Sequence, residues 1–318
     1  MAQSNEYFAI VVVILIPSTL SNITLLYFIT TKQNLRTVPN IYLGSSLVAQ
    51  LASLLLVGLH ILVHVTLPEA TTISAFFAFM TVIERCLLAA TVLSFVGLSF
   101  ERCKYFVKSN TYIPDYRETK KTLVSIWAIS IIYGMVGLAI EYLAQNLSIL
   151  SHHRITYGID LKSAIPLSLD FIAIFTISGI LMTIQYYRIV YNLWYSPYAN
   201  LILQKKRKKS VYFLISITLI QWLMLAGVCL LRLVWILLNS NTTNQNLIFL
   251  LTLLVQTMSF SVLPSIYLCL SEQTRLQIKR MGRNNRIEPE TTRNRRRSTI
   301  MEGEISIHAL IGYELNQL

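Results

Sequence analysis

The stretch "YFAIVVVILIPSTLSNITLLYFIT", from Tyr7 to Thr30, has 24 residues and no charged side chain. A helix that crosses a hydrocarbon core of roughly 30 Å needs about 20 apolar residues. Only "MAQSNE" precedes the stretch, without a basic residue, and the stretch is longer than the apolar core of a signal peptide. We therefore predict that it is a permanent membrane-spanning helix.

Six further apolar stretches of similar length follow along the chain. Hydrophobic residues make up 54% of the 318 residues and charged residues only 13%, too few polar groups to cover a soluble globule. Uninterrupted spans of this length are helices, because lipid leaves backbone groups no other partners. The sequence predicts an all-α bundle with spans at 7-30, 39-65, 73-106, 120-144, 163-195, 208-238 and 246-270.

The basic residues predict the orientation of the bundle. Of the 27 Lys and Arg residues, 23 lie on the side of the membrane that holds the tail and the loops after spans 1, 3 and 5, counting those at the adjoining span ends. Basic loops stay in the cytoplasm, so the N-terminus is expected outside and the C-terminus inside, in the plasma membrane. These clusters flank spans and form no domain, which favours anionic membrane lipids as partners over nucleic acid.

Smaller features agree with this topology. The acceptors Asn146-Leu-Ser and Asn241-Thr-Thr fall in predicted outer loops and are glycosylation candidates, whereas Asn22-Ile-Thr lies inside the first span. Residues 1-281 form the predicted membrane domain, ending in a short amphipathic eighth helix, "SEQTRLQIKRM". Residues 282-318 form a cytoplasmic tail, expected to be disordered where it is rich in Arg, Asn and Glu.

Several local patterns occur in a consistent order along the chain. The first span contains "SNITLLYFI", and the turn into the second reads "LRTVPNIYLGSSLVAQL". The third span ends in Glu101-Arg102-Cys103, and the seventh contains "LPSIY" with Pro264 and Tyr267. Trp127 and Trp222 lie in the fourth and sixth spans. With these motifs, residues 8 to 281 resemble the rhodopsin-like, or class A, G-protein-coupled receptors.

The resemblance implies a conformational switch at the inner side. Arg102 would be held by Glu101 at rest and released towards a heterotrimeric G-protein when helix 6 moves. Pro264 would bend helix 7 near Tyr267. The basic entry to helix 6, which includes Lys208 and Lys209, would contact the G-protein. Each feature also has a simpler interpretation. Glu101 and Arg102 would be charges at the membrane interface, Pro264 would cause an inert kink, and the basic entry would anchor the helix to lipid headgroups.

The sequence also departs from the pattern of that family. Gln50 stands where the family has the helix 2 aspartate, which implies that the family's sodium site does not form. Leu263 replaces the asparagine before Pro264, Cys103 replaces a tyrosine, and Met224 stands where a proline would follow Trp222. The chain therefore resembles a divergent member, and a chemosensory, odorant-type role is compatible with that divergence.

Glu84 is the main candidate ligand-binding residue at the outer side. It precedes Arg102 by five helical turns of 3.6 residues, so both side chains share one face of helix 3. An acid inside a membrane is costly without a partner. Glu84 is predicted either to bind a cationic ligand, as the resemblance to amine receptors implies, or to pair internally with Arg232 or Arg85.

Other polar residues are expected around the same outer cavity. His60 and His64 are four residues apart on helix 2 and either line the pocket or resemble a metal-ligand pair. Asp170 and Glu141 are ligand candidates or helix-end residues. Trp222 is either the pocket floor or ordinary packing.

We therefore expect a receptor for an extracellular small molecule, with no catalysis, cofactor or metal. A retinal protein is excluded because residues 246-270 contain no lysine. Two alternatives remain open. A seven-span metal-dependent hydrolase would use His60 and His64, and a transporter would be expected to show internal repeats and broken helices, which are not apparent.

Overall fold

A computed structural model describes residues 2–32, 37–66, 73–107, 115–150, 171–195, 201–237 and 242–270. In these ranges the chain forms seven long helices and no strand. The helices are α1 Ala2–Thr31, α2 Val38–Thr66, α3 Ile73–Val107, α4 Tyr116–Leu150, α5 Ile177–Tyr195, α6 Leu201–Leu237 and α7 Thr242–Leu270. The predicted eighth helix and the tail lie outside the described residues.

The all-helical architecture expected from the sequence is confirmed for the described chain. Six of the helices contain a stretch long and apolar enough to cross a membrane, which indicates a membrane-embedded protein. The apolar part of α6 is shorter, Ile215–Leu231. Several helices extend beyond the predicted spans, two of them with consequences for the predicted loops. α6 begins at Leu201 and takes in the basic entry, and α4 continues to Leu150, so Asn146 lies on a helix and not in a loop.

Helix α3 occupies the centre of the bundle. It packs against α2, α4 and α5, while α7 packs against α1, α2 and α6. Lipid tails are as apolar as leucine side chains, so helices in a membrane gain little from burying apolar surface. Close packing through small residues contributes much of their association energy. Gly97 and Gly134 provide two such contacts, the first against the ring of Tyr42 and the second against Cys86.

Pro264 lies inside α7, and its effect on the backbone is compensated from α1. Proline has no N–H, so the carbonyl of Phe260, four residues earlier, loses its helical donor. Asn22 supplies the replacement, because its Nδ2 donates to the Phe260 oxygen at 2.9 Å and to the Ser18 oxygen at 2.8 Å. The fully buried Asn22 therefore joins α1 to α7 where α7 is interrupted.

A π-helical segment, Phe171–Thr176, leads directly into α5. It buries Ile174 and Phe175 in the core that α3 and α6 share. Single π turns often lie at functional sites, because the extra residue changes which side chains face inward. Asp170, the residue before this segment, lies outside the described residues.

Candidate functional site

The C-terminal end of α3 contains an arginine close to side chains of α5 and α7. Arg102 lies near Tyr186 of α5 and Tyr267 of α7. Its Nε is buried and meets no hydrogen-bond acceptor among the described residues. The residue as a whole is only partly buried, but an Nε–H donor that is buried without an acceptor is energetically costly, so an arrangement that supplies an acceptor is favourable.

The two tyrosines connect Arg102 to the helices around it. The Tyr186 hydroxyl lies 2.7 Å from the Thr218 hydroxyl of α6. The Tyr267 hydroxyl donates to Oδ1 of Asn40 in α2 at 3.2 Å. A displacement of α5, α6 or α7 at this level therefore changes the surroundings of Arg102 directly.

Glu101 has a different partner from the one expected. Its carboxylate forms an ion pair with Lys104 at 3.2 Å, one turn further along α3. Lys104 also pairs with Glu118 in the first turn of α4 at 3.3 Å. The expected contact between Glu101 and Arg102 is not among the ion pairs of the described residues, because neighbouring side chains on a helix point about 100° apart.

The N-terminal half of α3 presents Glu84 to α7. Its Oε1 accepts a hydrogen bond from Nε2 of Gln256 at 2.8 Å. Both side chains, with Ser53 of α2, line a cavity of about 10 Å³, roughly the space that one water molecule needs. The other lining residues are Leu88, Leu225, Val228, Cys229 and Phe260. Glu84 and Arg102 thus both face α7, as their helical spacing predicts.

The remaining outer candidates do not all face this cavity. Arg85 is buried against α4, where its guanidinium lies beside Gly137. His60 is partly exposed on α2. The side chains of the other outer candidates lie outside the described part of the chain, so their positions stay predictions: His64, Glu141, Asp170, Arg232.

Two further buried amides lie inside the bundle. Gln50 of α2 and Gln221 of α6 are fully buried, and neither side chain finds a hydrogen-bond partner within the described residues. The indole nitrogen of Trp222 is likewise buried without an acceptor there, while its ring packs against Gly179 of α5. Buried polar groups are normally paired, so these three mark places where water or another helix arrangement would be favourable.

No set of three or more potential metal-ligand side chains comes together in the described ranges. The predicted glycosylation sites and the basic residues Lys208 and Lys209 have no described side chains. For these residues the structure provides only the helical backbone of α4 and α6 at Asn146, Lys208 and Lys209.

Sequence reasoning missed three residues of the site. Tyr186, Gln256 and Lys104 were not predicted as partners, although each is a polar side chain within an apolar helix. The rarity of polar groups in such helices is a usable signal, since each needs a partner inside the bundle.

Comparison with known proteins assigns no family to this chain. A scan against protein-family models finds no match, and no curated protein matches the chain. The functional proposal therefore depends on the residues and geometry described above.

Proposed function

We propose that the chain is a receptor of the rhodopsin-like G-protein-coupled type, which binds a small extracellular molecule between its outer helix ends and activates a heterotrimeric G-protein. In this proposal all seven helices span the plasma membrane, with the N-terminus outside and the C-terminus in the cytoplasm. The 17 residues of the apolar part of α6 meet the lower limit for a span of about 17 to 25 residues.

The observation that carries the proposal is the environment of Arg102. A partly buried arginine with a buried, unsatisfied Nε lies near tyrosines from α5 and α7, and the α5 tyrosine is bonded to α6. Structural ion pairs stabilise one arrangement, whereas a cationic side chain with a buried, unmet donor favours a rearrangement that supplies an acceptor. A G-protein segment entering beside Arg102 supplies backbone carbonyl oxygens as such acceptors.

At the outer end, the ligand would bind at Glu84 and replace the hydrogen bond from Gln256. A cationic group that displaces the Gln256 amide from Glu84 forms an ion pair with the carboxylate, in which both partners are charged, whereas the amide is a neutral donor. The same exchange loosens α3 from α7. Arg102 and Tyr267 lie on α3 and α7, the same two helices that contain Glu84 and Gln256. Ligand binding and the switch are therefore mechanically coupled through these helices.

The proposal is tested by G-protein activation in cells that express the chain. We expect Arg102→Ala to abolish basal or ligand-evoked activation of reporters for the main G-protein classes at unchanged surface expression. Tyr186→Phe removes only the hydroxyl bonded to Thr218 and is expected to reduce activation without abolishing it.

The control variant is Arg117→Ala, which removes an exposed arginine from the start of α4. It is expected to signal like the original chain. Equal signalling by the Arg102→Ala variant would exclude the switch, and a chain that activates no reporter class under a broad ligand screen would argue against the receptor proposal.

A further inference from the structure

One exposed stripe of α5 changes its chemistry along the helix. Its members are spaced three or four residues apart and are all between 43% and 68% exposed. The stripe begins with three isoleucines and ends with aromatic residues: Ile177, Ile180, Ile184, Tyr187, Tyr191, Trp194. Aliphatic side chains suit the hydrocarbon core, whereas Tyr and Trp accumulate at the membrane–water interface.

The aromatic end of the stripe therefore marks an interface level. Tyr187 and Trp194 are about 10 Å apart along the helix axis at 1.5 Å per residue. The Tyr187 and Tyr191 ring centroids are 6.2 Å apart, and the Trp194 nitrogen donates to the hydroxyl of the exposed Tyr212 on α6 at 3.2 Å. The aromatic surface thus extends from α5 onto α6.

A groove with a basic side chain lies at this level. It has a volume of about 230 Å³ and is lined by Val107 at the end of α3 and by Tyr187, Arg188, Tyr191 and Asn192 of α5. Arg188 is exposed, and no acidic side chain of the described residues forms an ion pair with it. The groove combines an unneutralised guanidinium, phenol hydroxyls, an amide and an apolar wall.

We propose that this groove binds the headgroup of an anionic phospholipid, with Arg188 on the phosphate or carboxylate and the lipid chains along the isoleucine stripe. The guanidinium can donate two parallel hydrogen bonds to such an oxygen pair. Tyr and Asn side chains supply further donors. A docked protein segment is less suitable, because the groove continues directly into an aliphatic face that a soluble partner would leave uncovered.

The proposal rests on the membrane topology proposed above but not on signalling. A lipid in this groove contacts α3 and α5, the helices that contain Arg102 and Tyr186, so it would favour one relative position of these two helices. One basic side chain near an anionic surface contributes about 1 kcal/mol, which corresponds to about a five-fold change in affinity.

The test is lipid titration of the purified full chain in detergent, followed by native mass spectrometry. Dioleoyl phosphatidylserine is expected to bind more tightly than dioleoyl phosphatidylcholine, and Arg188→Gln should lower the phosphatidylserine affinity about five-fold. Arg188→Lys keeps the charge and should retain most of the preference. Arg117→Gln, the same change at an exposed arginine outside the groove, should have no effect.

Two outcomes would overturn the proposal. One is an Arg188→Gln variant whose phosphatidylserine affinity equals that of the original chain. The other is full competition by soluble glycerophosphoserine, which would indicate a site for a free phosphate group.

A photoreactive residue at Tyr187 in cells distinguishes occupants: lipid adducts support the proposal, and adducts to protein alone contradict it. Because no G-protein is present in the titration, loss of signalling and loss of lipid binding are separate results.

Discussion

At the scale of single residues, the candidate functional side chains of this bundle are distinguished by the partners they find or lack. Glu84 and Glu101 are both acids on α3, yet one bonds to the Gln256 amide within the bundle and the other to Lys104 near the helix end. Arg102, beside Glu101 in sequence, faces two tyrosines instead. The rotation of about 100° per residue separates these environments.

Asn22 provides a residue-scale prediction. We expect Asn22→Ala to lower the free energy of unfolding by about 1 to 2 kcal/mol, because the Phe260 carbonyl is then buried without a donor. Reversible unfolding in mixed SDS micelles, followed by circular dichroism, measures this change. Thr24→Ala is the control, since the exposed Thr24 hydroxyl bonds only within its own helix, and it should cost little.

The cause can be isolated with a second substitution. Pro264→Ala restores an N–H four residues after Phe260, so Asn22→Ala should cost clearly less in that background. An equal cost of Asn22→Ala with and without Pro264 would mean that the asparagine does not compensate for the proline.

At the scale of helices, glycines decide how closely α5 and α6 approach. A Cβ atom on Gly179 would lie 2.6 Å from Cζ2 of Trp222, closer than real contacts allow. The large ring of Trp222 has little room to move between packed helices. Helix α5 can therefore touch α6 at this level only through a residue without a side chain.

The corresponding prediction compares two glycines. Gly179→Ala should destabilise the protein by about 1 to 3 kcal/mol through overpacking. Gly227→Ala, on α6 with nothing within 4 Å of the added carbon, should be neutral or slightly stabilising because alanine favours helix. Thermal unfolding in detergent measures both variants.

Rescue provides the decisive control for this contact. Trp222→Leu removes the ring that the new carbon meets and should recover most of the stability lost in Gly179→Ala. If the double variant is no more stable than the Gly179→Ala variant, the close contact is not the cause of the loss.

At the scale of the whole molecule, the direction of insertion is a prediction from charge alone. Glycosidase digestion should increase the gel mobility of the chain expressed in animal cells, and Asn146→Gln or Asn241→Gln should reduce that shift, because both acceptors are predicted outside. Asn22→Gln should leave the shift unchanged, since Asn22 is fully buried and its amide bonds to Phe260.

An epitope at the C-terminus provides the complementary measurement. It should be detected by antibody only after the cells are permeabilised. Detection of the C-terminal epitope on intact cells would contradict the proposed orientation. Loss of a glycan in the Asn22→Gln variant would contradict it as well.

The helices and the inward face of α3 could be predicted from the sequence, because both depend on local properties. Apolar length predicts each span, and a period of 3.6 residues puts Glu84 and Arg102 on one face. The ends were less predictable. Helix α6 starts seven residues earlier than the predicted residue 208, because a basic, polar segment can remain helical beyond the apolar stretch.

Partner identity was decided only by the tertiary structure. Gln256 is 172 residues from Glu84, and Tyr186 lies on a helix whose rotation the apolar pattern leaves open. Which polar groups meet depends on the rotation and depth of each helix relative to its neighbours, and this follows from packing around residues such as Gly179 and Gly97. The sequence by itself thus determined a helical membrane protein with an acid and an arginine on one inward face of α3. Packing decided that the acid bonds to α7 and that the arginine lies between two tyrosines.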